Sequence, residues 1–113
     1  MTKKLHIDTL CVQAGYNPTK GEPRQVPIIQ STTFKYDTSE QMGKLFDLEE
    51  NGYFYTRLQN PTNDTTAAQI AAMEGGVAAM LTSSGQAANF FACFNICQAG
   101  DHMITTTSIY GGT

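Results

Sequence analysis

The feature that most constrains the fold is a short apolar segment followed by a small polar turn and an apolar run of helical spacing. Residues 77–83, VAAMLTS, are short, apolar and bounded by turn residues, as a buried strand is. Residues 85–100, GQAANFFACFNICQAG, show the spacing of a helix that ends at Gly100. Residues 102–106, HMITT, are predicted to form a second short strand. This order predicts a βαβ unit and the beginning of a mostly parallel sheet, hence an α/β fold.

Residues 1–60 have a different character. They hold three of the four prolines and show little sustained periodicity, so no core of their own is evident. A single parallel pair of strands is not a stable domain either, because parallel strands need neighbours and cover on both faces. We therefore expect an irregular arm over residues 1–60 and the start of a large domain, still incomplete, over residues 61–113.

Capping residues predict two helices within the arm. The first is short, covers Ile7–Ala14 and is stopped by Gly15. The second lies in DTSEQMGKLFDLEENG, with Asp37 or Thr38 as its N-cap and Asn51–Gly52 as its end.

A third helix is predicted where the arm gives way to the large domain. The segment PTNDTTAAQIAAMEGG opens near Pro61–Thr62 and closes at Gly75–Gly76. The preceding residues, YFYTRLQN, are expected to be extended or looped and to expose Tyr53, Tyr55 and Arg57.

Composition excludes several functional classes. The net charge of −3 and the presence of only two arginines, Arg24 and Arg57, argue against a nucleic-acid-binding surface. No apolar run reaches the roughly 18 residues of a membrane span, and MTKKLHIDTL lacks the apolar core of a signal peptide. Three cysteines without C-x-x-C spacing suit a reducing cytoplasm better than a disulfide framework.

Two of these cysteines share a helical face. Cys93 and Cys97 could in principle ligate a metal, but Phe90 and Phe94 flank them and favour a packed core. We predict no metal site.

The turn of residues 82–86, TSSGQ, is a candidate anion site. The first N–H groups of a helix have no internal partner, and the helix dipole adds partial positive charge there, which suits a phosphate. Ser84 could add a hydroxyl, and Gly85 would let backbone approach the anion without a Cβ in the way. The alternative is that Ser83 or Ser84 is simply an N-cap. Neither G-x-G-x-x-G nor the Walker pattern is present.

Two further features are consistent with a phosphorylated, flat ligand. Tyr55 and Arg57 are two residues apart, so in an extended segment both side chains would fall on one side and could bind a phosphate dianion. The alternative for Arg57 is an exposed arginine on a loop, to which Glu49 or Glu50 could supply an ion-pair partner. Tyr110 in SIYGGT could stack on a flat ligand or be an ordinary surface tyrosine.

Taken in order, Tyr-x-Arg-x-x-Asn-Pro-Thr, Ser-Ser-Gly-x-Ala-Ala and Tyr-Gly-x-Thr resemble the pyridoxal-phosphate enzymes of cysteine and methionine metabolism. DTLCVQAGYNPT and VPIIQSTTF also resemble the opening of that family, so the resemblance covers essentially the whole chain. It implies the N-terminal part of a fold type I enzyme: an extended arm, followed by the first βαβ elements of the mostly parallel sheet of the large domain.

The resemblance also implies roles for individual residues. Backbone N–H groups of Gly85 and Gln86, beside Ser84, would bind the phosphate of pyridoxal 5'-phosphate. The arm would contact a neighbouring subunit, in a dimer that shares active sites and pairs into a tetramer. From the arm, Tyr55 and Arg57 would reach the cofactor phosphate bound by the neighbouring subunit. Tyr110 would stack on the pyridine ring and assist proton transfer or departure of the leaving group.

Within the family, the resemblance is strongest to the O-acetylhomoserine sulfhydrylases. SSGQAA, with Gln86 where many lyases carry methionine, is similar to their form of the motif. Gly112 stands where methionine γ-lyases usually have cysteine. The implied reaction replaces the acetate of O-acetyl-L-homoserine by sulfide and gives homocysteine, within methionine biosynthesis and transsulfuration. A cystathionine γ-synthase and a cystathionine or methionine γ-lyase remain the alternatives.

One family requirement has no counterpart in this sequence. The lysine that holds the cofactor follows a Ser-x-Thr-type motif in the family, and none of the five lysines has that setting: Lys3, Lys4, Lys20, Lys35 and Lys44. The arginine that binds the substrate carboxylate is not matched either. The chain alone is therefore predicted to be inactive and to be the N-terminal part of a longer enzyme. The competing hypothesis is a non-catalytic module that binds a phosphate ligand or a partner.

Overall fold

Four helices account for the regular structure that the computed structural model describes over residues 5–113. Lys3 and Lys4 lie outside the described residues. The chain has two compact units, one that runs as far as Ala79 and one that covers Met80–Thr113.

Helix α1, Ile7–Gln13, packs on helix α3, Pro61–Glu74, as the one pair of helices in contact within residues 5–113. The helix predicted to stop at Gly15 does so, and Gly15 has φ +81°. A Cβ at Gly15 would lie 2.7 Å from the backbone nitrogen of Gln69 in α3. Both the backbone conformation and the close approach of α3 therefore require glycine at this position.

Helix α2, Ser39–Phe46, has Thr38 as its N-cap, whose side chain accepts a hydrogen bond of 3.2 Å from the N–H of Gln41. The predicted end at Asn51–Gly52 is wrong, because the helix stops at Phe46. The chain turns at Leu48, which takes a left-handed φ of +60°. The tail of the predicted helix is instead a turn that returns to Lys44 through the N–H of Glu49.

The third predicted helix is confirmed as α3. Asn60 is its N-cap, Pro61 is its first residue, and Gly75 ends it with φ +67°. Proline suits the first position because its missing N–H would have no intrahelical partner there, and glycine suits the left-handed position that ends a helix.

Helix α4, Gly85–Ile96, is confirmed in place but ends before the predicted Gly100. The Asp101 side chain accepts from the N–H of Gln98 at 2.8 Å, and the N–H of Asp101 returns to the Gln98 carbonyl at 3.0 Å. This local turn competes with the helix for the same residues. Gly100, at φ +102°, therefore belongs to the turn.

The two predicted strands do not form a parallel pair. Within residues 5–113 the one β pairing is an antiparallel bridge between Thr33 and Tyr55. Residues 77–83 and 102–106 lack helical structure but join no ladder, and Val77 is fully exposed rather than buried. An apolar segment indicates that its side chains are to be buried, but a strand forms only where a neighbouring segment supplies backbone hydrogen bonds.

Apolar surface is largely uncovered. Leu45 and Ala71 are the buried apolar residues of the described chain, whereas Phe90, Phe91 and Phe94 on α4 are exposed. The packed core predicted around Cys93 is therefore not formed. No helix in the described part of the chain combines the length and the apolar character needed to cross a membrane.

Candidate functional site

Tyr55 and Arg57 come together as predicted, although by a different backbone route. The segment is not extended throughout: Tyr55 forms the bridge to Thr33, and a turn then brings the N–H of Leu58 to the Tyr55 carbonyl at 3.0 Å. Arg57 Nη2 donates a hydrogen bond to the Tyr55 hydroxyl, and its guanidinium carbon lies 4.9 Å from the centre of the Tyr55 ring. The turn thus makes one cationic donor group from the two side chains.

Arg57 is exposed on a turn, as the loop-residue alternative expected, but it forms no ion pair with Glu49 or Glu50. Glu50, one of its two suggested partners, pairs with Lys44 at 3.0 Å. Within residues 5–113 no carboxylate lies within salt-bridge distance of Arg57, and the side chain is exposed. The guanidinium keeps most of its donors free for an anion.

A shallow cavity of about 380 Å³ lies beside this pair, lined by residues 29–32 and 55–57. The neighbouring Tyr53 is half-buried rather than exposed as predicted. Burial, with a smaller contribution from Asp64, raises the pKa of the Tyr53 hydroxyl above its usual value. The Tyr53 hydroxyl therefore keeps its proton further into the alkaline range. Tyr53 does not line the cavity, whereas Tyr55 and Arg57 do, beside the amide of Gln30 and the hydroxyls of Ser31, Thr32 and Thr56.

The backbone around the pair is held by side chains of the Asn-Pro-Thr segment. Asn60 is 3% exposed, the one buried polar residue of the described chain. Its amide donates to the Ile29 carbonyl at 3.0 Å and to the Thr56 hydroxyl at 3.1 Å, and its oxygen accepts from the N–H of Thr62 at 2.9 Å. This role was not predicted from the sequence, although Asn-Pro is a recognisable helix-start signal.

In the second unit, the N-terminus of α4 has the features of an anion site. The Ser84 hydroxyl accepts from the N–H of Ala87 at 3.1 Å, so the N-cap interpretation holds for this side chain. The N–H groups of Gly85 and Gln86 donate to no acceptor within residues 5–113. A Cβ at Gly85 would meet no described atom within 4 Å, so space is open beside these donors. Two free N–H groups at a helix N-terminus fit a phosphate.

Tyr110 lies in the same unit, close to the turn. It is 77% exposed, and its carbonyl accepts from the N–H of Thr113 at 2.9 Å in the terminal turn. A Cβ at Gly112 would lie 2.8 Å from Cε1 of the Tyr110 ring and 3.1 Å from Nε2 of Gln86. The absence of a side chain at Gly112 is what lets Tyr110 and Gln86 occupy their positions.

The structure thus assembles the predicted residues as two groups. Tyr55 and Arg57 form one in the first unit, and Ser84–Gln86 with Tyr110 form the other in the second unit. The first group offers a guanidinium and a phenol, and the second offers free backbone N–H groups and an exposed aromatic ring. Each is suited to part of a phosphorylated aromatic molecule such as pyridoxal phosphate.

Named relatives share this sequence at high identity. A homocysteine/cysteine synthase of Kluyveromyces lactis is 44% identical, over 96% of this chain and 25% of its own length. An O-acetyl-L-homoserine sulfhydrylase of Thermus thermophilus is 43% identical, over 96% of this chain and 26% of its own. An L-methionine gamma-lyase of Fusobacterium nucleatum is also 43% identical, over 99% of this chain and 28% of its own length. The chain spans about a quarter of the length of these curated relatives.

A solved structure agrees with them. A crystal structure assigned as an O-acetylhomoserine (thiol)-lyase of Campylobacter jejuni, which carries N'-pyridoxyl-lysine-5'-monophosphate, matches 96% of this chain and 27% of its own. The TM-score is 0.83 and the identity 35%. This likeness bears out the predicted N-terminal part of fold type I in outline. The family model for Cys/Met metabolism PLP-dependent enzymes matches residues 8–113, and the chain belongs to this family.

Proposed function

We propose that this chain is the N-terminal part of a pyridoxal-phosphate-dependent O-acetyl-L-homoserine sulfhydrylase. The complete enzyme would make homocysteine and acetate from O-acetyl-L-homoserine and sulfide. The observation that carries the proposal is the pairing of free donors at the start of α4 with an exposed Tyr110, in a chain 43% identical to a sulfhydrylase. Gln86 and Gly112 favour this activity over that of the lyases.

The residues of this chain would hold the cofactor at two places. The N–H groups of Gly85 and Gln86 would bind its phosphate, with Ser84 fixing the helix start. Tyr55 and Arg57 would add a charged pair of donors to the phosphate held by the neighbouring subunit. The bound cofactor supplies an electron sink that stabilises negative charge on the substrate carbons. Tyr110 would stack on the cofactor ring and hold or move a proton through its hydroxyl.

A shared active site accounts for the arm. We propose that residues 1–60 pack on a neighbouring subunit, so that Tyr55 and Arg57 serve the phosphate of that subunit in a dimer, and two dimers make a tetramer. The lack of a carboxylate partner for Arg57 within residues 5–113 supports this arrangement. Free Cys11, Cys93 and Cys97 are consistent with a cytoplasmic enzyme.

A substrate comparison on the intact enzyme that contains this chain tests the reaction. We expect homocysteine from O-acetyl-L-homoserine plus sulfide, and little turnover of methionine or cystathionine alone. The alternative is a γ-lyase, favoured by the 43% identity to the Fusobacterium protein. Faster turnover of methionine or cystathionine without sulfide would replace the sulfhydrylase by that alternative.

Exchanging Gln86 for methionine in the intact enzyme is expected to leave cofactor binding unchanged within about threefold. The proposed contact uses the N–H of residue 86, which methionine retains, and the Gln86 side chain is exposed. Titration of the apoenzyme with pyridoxal phosphate measures the dissociation constant. A clear loss of affinity would mean that the side-chain amide takes part in binding.

The variant Gly112→Ala is expected to lower kcat on the order of 10- to 100-fold, because small displacements of a reacting group are costly. The new Cβ would stand 2.8 Å from the Tyr110 ring, which must move. Steady-state kinetics measure the effect, and cofactor affinity should change much less. Gly111→Ala is the matched control, since a Cβ at Gly111 meets no described atom within 4 Å. Equal kcat losses in both variants would contradict this role of Gly112.

A further inference from the structure

Arg57 and Tyr55 lie on a short turn that has little regular structure around it. The turn is held against residues 27–34 by backbone bonds, including Thr56 N–H to the Thr32 carbonyl at 2.9 Å and Phe34 N–H to the Phe54 carbonyl at 3.3 Å. These bonds hold the residues before Arg57, and the N–H groups of Leu58 and Gln59 return to the Tyr55 carbonyl at 3.0 and 3.1 Å within the turn itself. The side-chain contacts that join the turn and residues 27–29 to the start of α3 come from Asn60 and Thr62.

Asn60 joins three segments at once. Its amide bonds the Ile29 carbonyl in the arm and the Thr56 hydroxyl in the turn, and its oxygen caps α3 at the N–H of Thr62. The Thr56 hydroxyl in turn donates to the Ser31 carbonyl. Because Asn60 is 3% exposed, water does not replace a lost partner there, and an unpaired donor or acceptor is costly.

Thr62 repeats the connection on the other side of the helix start. Its hydroxyl accepts from the N–H of Ile29 at 2.9 Å and donates to the Pro27 carbonyl at 3.1 Å. The arm is thus bonded to the first turn of α3 through both Asn60 and Thr62. Of the two residues, only Asn60 also bonds the turn that carries Tyr55 and Arg57.

We infer that Asn60 is a positioning residue for the phosphate-binding pair, acting through Thr56 to hold Tyr55 and Arg57 where they meet the cofactor. The inference rests on the proposed function of Arg57 and extends it to a buried residue that does not line the cavity beside the pair. A helix cap alone would need only the oxygen of residue 60. The two bonds from its amide are what a positioning role requires.

The variant Asn60→Asp separates the two roles. Aspartate is as good an N-cap as asparagine, so the bond to Thr62 is retained. It cannot donate to Ile29 or Thr56, and it sets a carboxylate against the Ile29 carbonyl. In the intact apoenzyme, we expect the dissociation constant for pyridoxal phosphate to rise roughly tenfold, and by no more than in Arg57→Ala.

A double-mutant cycle with Arg57→Ala decides whether Asn60 acts through the pair. If it does, Asn60→Asp has little further effect on cofactor affinity once Arg57 is gone. Equal fold losses with and without Arg57 would overturn the inference, as would unchanged affinity in Asn60→Asp alone. Unchanged affinity in Arg57→Ala would instead defeat the proposed phosphate role of Arg57.

Two more variants separate positioning from folding. Thr38→Ala removes the N-cap of α2, away from these contacts, and is expected to lower Tm without changing cofactor affinity. Thr56→Val removes the hydroxyl between Asn60 and Ser31 while leaving the α3 cap intact, and serves if Asn60→Asp does not fold. Weaker cofactor binding in Thr56→Val supports the inference, and wild-type affinity there overturns it.

Discussion

Replacing Arg57 by alanine in the intact enzyme is expected to weaken cofactor binding by about 1.5–3 kcal/mol, the range for charge-assisted hydrogen bonds. This corresponds to about a 10- to 150-fold higher dissociation constant for pyridoxal phosphate. The physical reason is that alanine removes a charged hydrogen-bond donor. The guanidinium lies over the Tyr55 ring and has no carboxylate partner within residues 5–113, so its donors are free for the phosphate. Equilibrium titration of the apoenzyme measures the change.

The chain supplies its own control for this experiment. Arg24 is the only other arginine in the sequence and is also exposed, so Arg24→Ala removes the same charge from another place. Its cofactor affinity should equal that of the unmodified enzyme. The cofactor affinity of Arg57→Lys should lie between that of Arg57→Ala and that of the unmodified enzyme, because lysine keeps the positive charge and loses the planar guanidinium. Matching losses for Arg24→Ala and Arg57→Ala would reduce the effect to net charge and remove the specific role.

The 113-residue chain produced on its own is expected to show no sulfhydrylase turnover and no covalently bound cofactor. Its five lysines lack the family's setting for the lysine that holds pyridoxal phosphate. Activity assays and intact mass after borohydride reduction with the cofactor test this. The full enzyme, assayed beside it, is the positive control.

The lysines can also be tested one at a time if covalent cofactor is found. A cofactor adduct that is lost in a single Lys→Ala variant and accompanies turnover would contradict the prediction and identify a new catalytic lysine. Scattered adducts without turnover would be surface chemistry and would agree with it. Noncovalent binding of inorganic phosphate without turnover would favour the phosphate-binding module, provided that the intact protein is inactive too.

Helix positions were predictable because short polar caps and glycines are local signals. Thr38, Asn60 and Ser84 each cap a helix at or beside the predicted place. The end of α2 was missed because Leu48, not glycine, takes the left-handed turn. The end of α4 was missed because the Asp101 side chain bonds the backbone of Gln98, which periodicity does not report.

The strands were less predictable, for a physical reason. Periodicity identifies an apolar segment such as residues 77–83, but a ladder depends on which backbone lies beside it. The single pairing in the described chain, Thr33 with Tyr55, joins residues 22 positions apart, and Tyr55 lies in a segment expected to be extended or looped. Nothing in the local sequence indicates that pairing.

The site was predictable in its chemistry and less so in its support. Residue types and spacing indicated that Tyr55 with Arg57, and Ser84 with Gly85, could meet an anion. The meeting of Tyr55 and Arg57 is confirmed, although it depends on a turn rather than on the extended segment expected. Asn60 was missed because its partners Ile29 and Thr56 are determined by tertiary structure.

The exposed phenylalanines of α4 have a consequence for the protein while it is being synthesised. Phe90 and Phe94 stack with ring centres 5.3 Å apart and remain largely open to solvent. If this chain is the N-terminal quarter of an enzyme, it leaves the ribosome first. At a synthesis rate of roughly 5–20 residues per second, the apolar face of α4 stays exposed for tens of seconds before the rest of the polypeptide can cover it. During that interval α4 is a natural place for a chaperone to hold the nascent protein.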